Sequence, residues 1–401
     1  MHTRTSARLG TVWRARRRCV ILQRRYIGRV PAGRTLSFRV QATLSDAARI
    51  LFDCEAQRKP PASRSIYFLH RSGGIALGLN VYQMTETCFL SIVIVNWNGS
   101  EHLRLCLLAI QEDLGDGANS DVQVVVVDNG SRDDSILQAR RTMPSAKVVE
   151  LSTNEGFAAA VNKGIEFAEG EWVALLNNDA CVGVGWLDAM RRVAIAAPSA
   201  CGMLQSCVVR TDDPSRIDTT GVVLAHGGGI EDRHRDQNLN EAKAAREVFC
   251  VSASAAWYRH GMLDEVAGDR RPFDPGYFMY YEDVDFGWRC RLAGWTAEYV
   301  QSAVVRHVGH GSAELQTTHF VKRQCVQNRM RVILGNASFR FVVGAVPRLL
   351  RDVGWLVGDS GRAALPKIGR AVRDGLSARR RLPQRSRRAR RQTEMEWFIA
   401  R

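Results

Sequence analysis

Between residues 90 and 177, four short apolar runs alternate with stretches of helical periodicity. No other feature of the chain restricts its fold as much. Leu90-Ser91-Ile92-Val93-Ile94-Val95 is largely β-branched, as a strand buried on both faces requires. Asn96-Trp97-Asn98-Gly99 breaks it, and Ser100 to Gln111 reads as a helix with apolar positions 103, 107 and 110. Val122 to Val127 is a second strand ending at Asp128, and Asp133 to Met143 reads as a helix. Lys147 to Leu151 reads as a strand, Gly156 to Glu169 as a helix, and Trp172 to Leu176 as a fourth strand ending at Asn177. Such alternation predicts βαβ units: an α/β fold with a mostly parallel sheet flanked by helices. Ligands of such sheets sit beyond the carboxyl ends of the strands. Asn96, Asp128 and Asn177-Asn178-Asp179 all fall there.

The rest of the chain divides by character. Residues 186–260 are less regular, and Gly227-Gly228-Gly229 reads as a flexible surface loop. Order resumes over 249–315 with Ala303-Val304-Val305-Arg306-His307 as a strand. Phe339 to Gly358 mixes apolar residues with Arg340, Arg348, Arg351 and Asp352, interrupted by Pro347, and reads as a surface-lying amphipathic helix pair. Residues 379–391 hold eight arginines and read as disordered.

The net charge of +15 resembles that of a nucleic-acid binder until it is divided along the chain. Residues 1–87 hold 16 Lys or Arg against 4 Asp or Glu, residues 88–315 hold 20 against 32, and residues 316–401 hold 20 against 5. An acidic centre suits a site that holds a cation, and basic ends suit an anionic surface. Three segments follow: a basic N-terminal extension (1–87), an acidic α/β domain (88–315), and a helical, basic C-terminal region (316–401). The extension holds eleven arginines and no acid in its first 45 residues. It reads as disordered, as transit-like, or as lying upstream of the true start, with Met84 the favoured start. The ten cysteines contain no C-x-x-C pair, so they read as reduced, mostly buried thiols of a cytoplasmic protein rather than a disulfide framework or zinc site. No run of about 18 uncharged apolar residues is present to span a bilayer.

The chemistry concentrates at Tyr280-Tyr281-Glu282-Asp283-Val284-Asp285. Carboxylates crowded among aromatic residues repel one another and are poorly solvated, and both effects raise a carboxyl pKa toward general-base duty. A solvated acidic helix start is the plainer alternative. Asp128-Asn129-Gly130-Ser131 serves either as a turn or as acceptor for a base or ribose. Gly156 opens a helix that runs through Asn162; its small residues suit either backbone approach to a phosphate or close helix–sheet packing. Asp179 ends a buried strand, where it is either a helix cap or a ligand to Mg²⁺ or Mn²⁺ on a diphosphate. His307 precedes a Gly-rich stretch and is either structural or a contact to that same centre.

Taken in order, Ser91–Gly99, Val127–Ser131, Asn154–Phe157, Leu175–Asp179, Gly276–Asp285 and His307 resemble the family 2 glycosyltransferases of the GT-A fold, especially the rhamnosyltransferase-like branch. The resemblance covers roughly residues 89–335. It implies a nucleotide-diphosphate-sugar donor and a glycan or lipid-linked acceptor in cell-envelope polysaccharide synthesis. It makes Asp283 the general base, with Glu282 and Asp285 tuning or positioning it. Asn96, Asp128, Asn129, Gly156, Asn162 and Asn178 would contact the nucleotide sugar. Asp179 and His307 would hold Mg²⁺ or Mn²⁺, Asn177 standing where the family's D-x-D-like motif has its first Asp. Gln324, Asn328 and Arg329 receive no role. A base on the acceptor and a cation on the leaving diphosphate suit an inverting transfer.

Three rivals carry other expectations. An inactive nucleotide-sugar-binding module would not need the intact Glu282, Asp283 and Asp179. A nucleic-acid-binding protein would need a basic core, and this core is acidic, so no nucleic-acid partner is expected. A nucleotidyltransferase would need a Gly-rich phosphate loop with a Lys near the first strand. The basic C-terminal region implies a cytoplasmic enzyme held peripherally at the inner leaflet.

Overall fold

The computed structural model describes residues 88–115, 120–240, 246–268, 271–309 and 318–381, together with 35–37, 55–57, 394 and 397. The chain divides into two units, Met1–Thr85 and Glu86–Arg401. In the first, β1 (Thr35–Ser37) and β2 (Glu55–Gln57) pair antiparallel. The expectations for Met84, for the remainder of the N-terminal extension and for arginines 385–391 lie outside the described residues.

The second unit begins with the expected alternation: β3 (Leu90–Asn96), α1 (Ser100–Leu114), β4 (Val122–Asp128), α2 (Ser135–Thr142), β5 (Lys147–Glu150), α3 (Phe157–Ile165) and β6 (Trp172–Asn177). β3 pairs in parallel with β4 and β6, and β4 in parallel with β5. The chain steps outward from β3 to β5, then returns to β3's other side, so a crevice opens beyond the strands' carboxyl ends. Strand alternation divides the core into two layers. Ile92, Ile94, Val124 and Val126 pack with Leu103, Leu107 and Ile110 of α1 on one face, while Val93, Val125 and Val127 pack with Ala158, Ala160 and Val161 of α3 on the other.

The sheet continues through the region that looked irregular in sequence. β7 (Ala180–Val182), α4 (Trp186–Ala196), β8 (Cys201–Arg210), β9 (Ile217–Thr219), the hairpin β10 (Val222–Ala225)–β11 (Gly229–Asp232), β12 (Glu247–Val248), β13 (Ala255–Arg259) and α5 (His260–Ala267) follow. β13 joins antiparallel to both β6 and β8. After α6 (Glu282–Ala293), β14 (Thr296–His307) runs parallel to β8 and antiparallel to β7 and β12. Gly202, Gln205 and Ser206 interrupt the apolar text of β8, yet they are buried along with it. The Gly227–Gly229 stretch is a tight turn closing the hairpin, not a free loop. A side chain on Gly228 would come within 2.4 Å of Ala345 Cβ.

Three helices complete the unit: α7 (Thr318–Asn336), α8 (Phe339–Ser360) and α9 (Ala364–Arg381). Phe339 to Gly358 lies within one helix rather than a pair, and Pro347 sits inside it. Val332 and Ile333 of α7 and Phe341 and Ala345 of α8 share one buried cluster with Val222, Leu224, Phe249 and Trp288. The helices are thus packed onto the sheet domain.

Candidate active site

Beyond the strand ends lies a cleft of about 480 Å³, with Asn129, Gly156, Asn177, Asn178, Asp179, Asp218, Glu282, Asp283 and His307 in its walls. Strand pairing builds its floor. β7 pairs with the end of β14 so that Ala180 stands opposite His307, and the Val308 amide donates to Asp179 O (3.1 Å). His307 therefore lies between two carboxylates: Nε2 is 3.2 Å from Asp179 Oδ1 and Nδ1 is 2.8 Å from Asp218 Oδ2. Asn177 Nδ2 is also 3.2 Å from His307 Nε2. Burial alone would lower the imidazole pKa, but the hydrogen bonds to Asp179 and Asp218 outweigh it and raise the value to about 10.

The opposite wall is the start of α6. Asp283 Oδ2 accepts from the Ala253 amide (3.0 Å), and Oδ1 from the amide of Val284 (2.8 Å). Burial raises its carboxyl pKa to about 6 against those backbone donors. Glu282 is buried beside it, and its pKa is raised well above the usual range by desolvation and by the Asp283 charge. Its Oε2 has no hydrogen-bond partner among the described residues. A buried carboxyl in that position favours its protonated form or a bound partner.

Strained backbone delivers this pair. Phe278, Tyr280 and Tyr281, none of them glycine, have φ of 62°, 67° and 70°. Such conformations cost each residue roughly 1–3 kcal/mol and persist only when surrounding contacts hold them. Asn328 of α7 supplies the hold: its Nδ2 lies 2.9, 2.8 and 2.8 Å from the carbonyl oxygens of Tyr277, Met279 and Tyr280. Gly156 (φ 87°) lines the cleft, and a Cβ there would meet Phe278 at 2.5 Å. The Ala158 amide at the start of α3 donates to Phe278 O (3.2 Å). That helix start is thus used to anchor the turn, in addition to any ligand contact.

Three of the residues expected to contact the nucleotide sugar, Asn96, Asp128 and Asn162, and the expected positioning residue Asp285 sit behind the cleft. Asn178 Nδ2 donates to Asn96 Oδ1 (2.8 Å), Asn96 Nδ2 lies 3.3 Å from Asp128 Oδ1, and Asp128 Oδ2 accepts from the Ser131 amide (2.9 Å). Asn96 and Asp128 are buried in this ladder, which ties the strand ends together. Asn162 instead makes a two-way amide pair with the backbone of Phe273 (2.6 and 3.0 Å). Asp285, one turn along α6 from Glu282, accepts from Arg289 (2.9 Å), Asn336 (2.8 Å) and Tyr277 (3.3 Å), so it fastens α6 to α7.

Asp218 and Arg235 escaped the sequence reading, which names Asn328 without a role. Asp218 and Arg235 come from irregular text with no motif spacing, and Asn328 lies far along the chain in a basic helix. Among the described residues, the cleft walls carry Asp179, Asp218, Glu231, Asp232, Glu282 and Asp283 against two cationic side chains, Arg235 and His307. The oxygen donors of Asp179 suit a divalent cation, and the His307 imidazole can join them only after losing the proton that Asp179 and Asp218 hold on it. Asp218 on the far ring nitrogen fixes the orientation of the His307 ring.

Residues 91–267 match the family Glycosyl transferase family 2. The N-acetylglucosaminyl-diphospho-decaprenol L-rhamnosyltransferase of Mycobacterium tuberculosis is 29% identical over 258 residues, covering 58% of this chain and 80% of its own. Glycosyltransferase AglE of Haloferax volcanii is 33% identical over 254 residues, covering 59% of this chain and 73% of its own. A solved mannosyltransferase, PcManGT from Pyrobaculum calidifontis in complex with GDP-Man and Mn²⁺, aligns with a TM-score of 0.44 at 16% identity, over 76% of this chain and 86% of its own.

Proposed function

The chain belongs to glycosyl transferase family 2, and from that premise we propose that it is a metal-dependent, inverting transferase of the cell envelope. It moves a sugar, with rhamnose the leading candidate, from a nucleotide diphosphate to a hydroxyl of a glycan or lipid-linked acceptor. The mycobacterial relative's name supports both sugar and acceptor class. One observation carries the chemistry: a single cleft holds the Asp179–His307 pair in one wall and the buried Glu282–Asp283 pair in another.

Asp283 takes the acceptor proton. With a pKa raised to about 6 it is ionised at neutral pH, yet it is more basic than an ordinary carboxylate. Glu282 is buried beside it with its pKa raised well above the usual carboxylate range, which favours its protonated form and keeps a second negative charge away from Asp283. Asn129, Asn178 and Gly156 line the donor side. Asn96 and Asp128 hold those residues in place from behind, and Asp285 and Asn162 do the same for α6 and α3. Asp179 and His307 would hold Mn²⁺ or Mg²⁺, which when bound offsets the charge developing on the leaving diphosphate. Arg235 adds a second cation at the same wall.

A thermal-shift panel of UDP-, dTDP- and GDP-sugars, each with and without Mn²⁺, tests the donor side. Stabilisation by one nucleotide class, dependent on metal, is expected; a folded protein that responds to none would overturn the assignment. NMR of the product tests the stereochemistry, and retention of the donor's anomeric configuration would rule out Asp283 as the base of a single displacement.

A further inference from the structure

Helix α8 buries Phe341, Ala345 and Leu356 on its inner face, yet it is apolar on its outer face as well. Its acids point into the protein: Asp352 pairs with Arg329 (2.7 Å), and Asp359 with Arg323 (2.5 Å) and His319 (2.6 Å). Phe339, Val343, Val346, Leu350 and Val357 follow one another at helical spacing on the outside, with exposures of 76, 53, 41, 65 and 39%. A helix whose outer face meets water carries charged and polar residues along that face. The charged residues exposed on α8 are Arg340 and Arg351, both cationic. α9 exposes Leu365 and Leu376 among Lys367, Arg370, Arg373 and Arg380. Residues 339–381 hold ten Lys or Arg against three Asp.

We propose that the outward face of α8 docks the protein, lying in plane, on an anionic lipid surface. The five apolar side chains enter the acyl boundary, Arg340 and Arg351 meet the headgroups, and the cations of α9 add attraction. Apolar area combined with like-signed basic flanks is what in-plane membrane helices use. Charge decides against two other occupants. A second copy, related by a two-fold axis, would bring Arg340, Arg351 and the α9 cations against themselves. The chain's own segment 382–391 is equally basic, with five arginines. Among the described residues no helix is long and apolar enough to cross a membrane, which leaves the in-plane mode.

The inner side of α8 gives the docking a use. Ala345 lies against Gly228 at the turn of the β10–β11 hairpin, whose Val222 and Ile230 line the cleft. The helix on the lipid and one wall of the cleft are thus a single packed unit. The inference stands apart from the transfer chemistry, because it would hold for an inactive protein.

Co-sedimentation of the full chain with phosphatidylglycerol–phosphatidylcholine vesicles tests it, with light scattering as companion. The double variant Phe339→Ser/Leu350→Ser alters only exposed side chains and keeps its thermal stability and its nucleotide response. It is expected to bind these vesicles at least about tenfold more weakly than the unaltered protein. Arg340→Gln/Arg351→Gln is expected to bind more weakly and to show a shallower salt dependence. Equal binding by the Ser variant and the parent, or binding that salt alone abolishes, would overturn the proposal in favour of a purely electrostatic hold. A parent that ignores vesicles and forms a dimer split by the Ser variant would overturn it in favour of self-association.

Discussion

Asp283 is held where its ionised form is least welcome and most useful. Folding raises its pKa from 3.8 to about 6. The protonated form therefore favours the folded state at low pH, and that contribution is lost as pH rises through 6. At pH 7 the ionised carboxylate costs the metal-free protein up to about 3 kcal/mol. Asp283→Asn is expected to raise the metal-free melting temperature at pH 7, with an advantage that shrinks toward pH 4, while lowering turnover by about 10²–10⁴. Calorimetry across pH, alongside a turnover assay, checks both halves; a variant that loses activity and stability together would make Asp283 structural. The same titration predicts an acidic limb in the kcat/KM profile near pH 6, belonging to the Glu282–Asp283 pair rather than to one residue. A profile flat down to pH 5 would contradict it. On the other wall, Asp218→Asn removes the support on His307 Nδ1 and is expected to weaken Mn²⁺ binding about 10–100-fold, measured by titration followed by EPR. Unchanged affinity would leave Asp218 outside the metal site.

At the scale of elements, the turn from Pro275 to Tyr281 decides whether the acidic pair points into the cleft. Asn328 Nδ2 reaches three of the turn's carbonyl oxygens, and the Ala158 amide anchors Phe278 O from α3. Asn328→Ala is expected to cost about 2 kcal/mol and to lower kcat more than the donor KM, since the donor wall is built from other strands. A variant with normal kcat would show that the turn holds itself. This contact also marks where sequence legibility ends. The continuous apolar runs of β3, β4 and β6 are local text, so those strands and the polar residues at their ends could be read directly. β8 could not, because Gly202, Gln205 and Ser206 disguise a buried strand. The exchange of roles within the acidic stretch was also invisible. Glu282 and Asp283 line the cleft while Asp285 fastens α6 to α7, and only the rotation of α6 relative to α7 separates them. Residue type placed Asn96, Asp128 and Asn162 near the site, but their partners, from Ser131 to Phe273, follow from tertiary packing.

Across the whole molecule, the basic helices and the acidic sheet domain differ in charge yet share a core. Phe341 of α8 packs edge-on to Trp288 of α6 (5.6 Å between ring centroids), which packs edge-on to Phe249 (5.3 Å). Val222 and Ile230, which line the cleft, belong to the same cluster. Helices α7 and α8 are therefore structural parts of the cleft wall. Phe341→Ala empties a site in that cluster and is expected to cost about 3–5 kcal/mol. If the core is common, residues 88–381 unfold in one transition by circular dichroism, tryptophan fluorescence and loss of nucleotide binding alike, and Phe341→Ala moves all three midpoints together. Two separated transitions, with nucleotide binding surviving the first, would show instead that the helices are an appended module and that the Asn328 hold is dispensable.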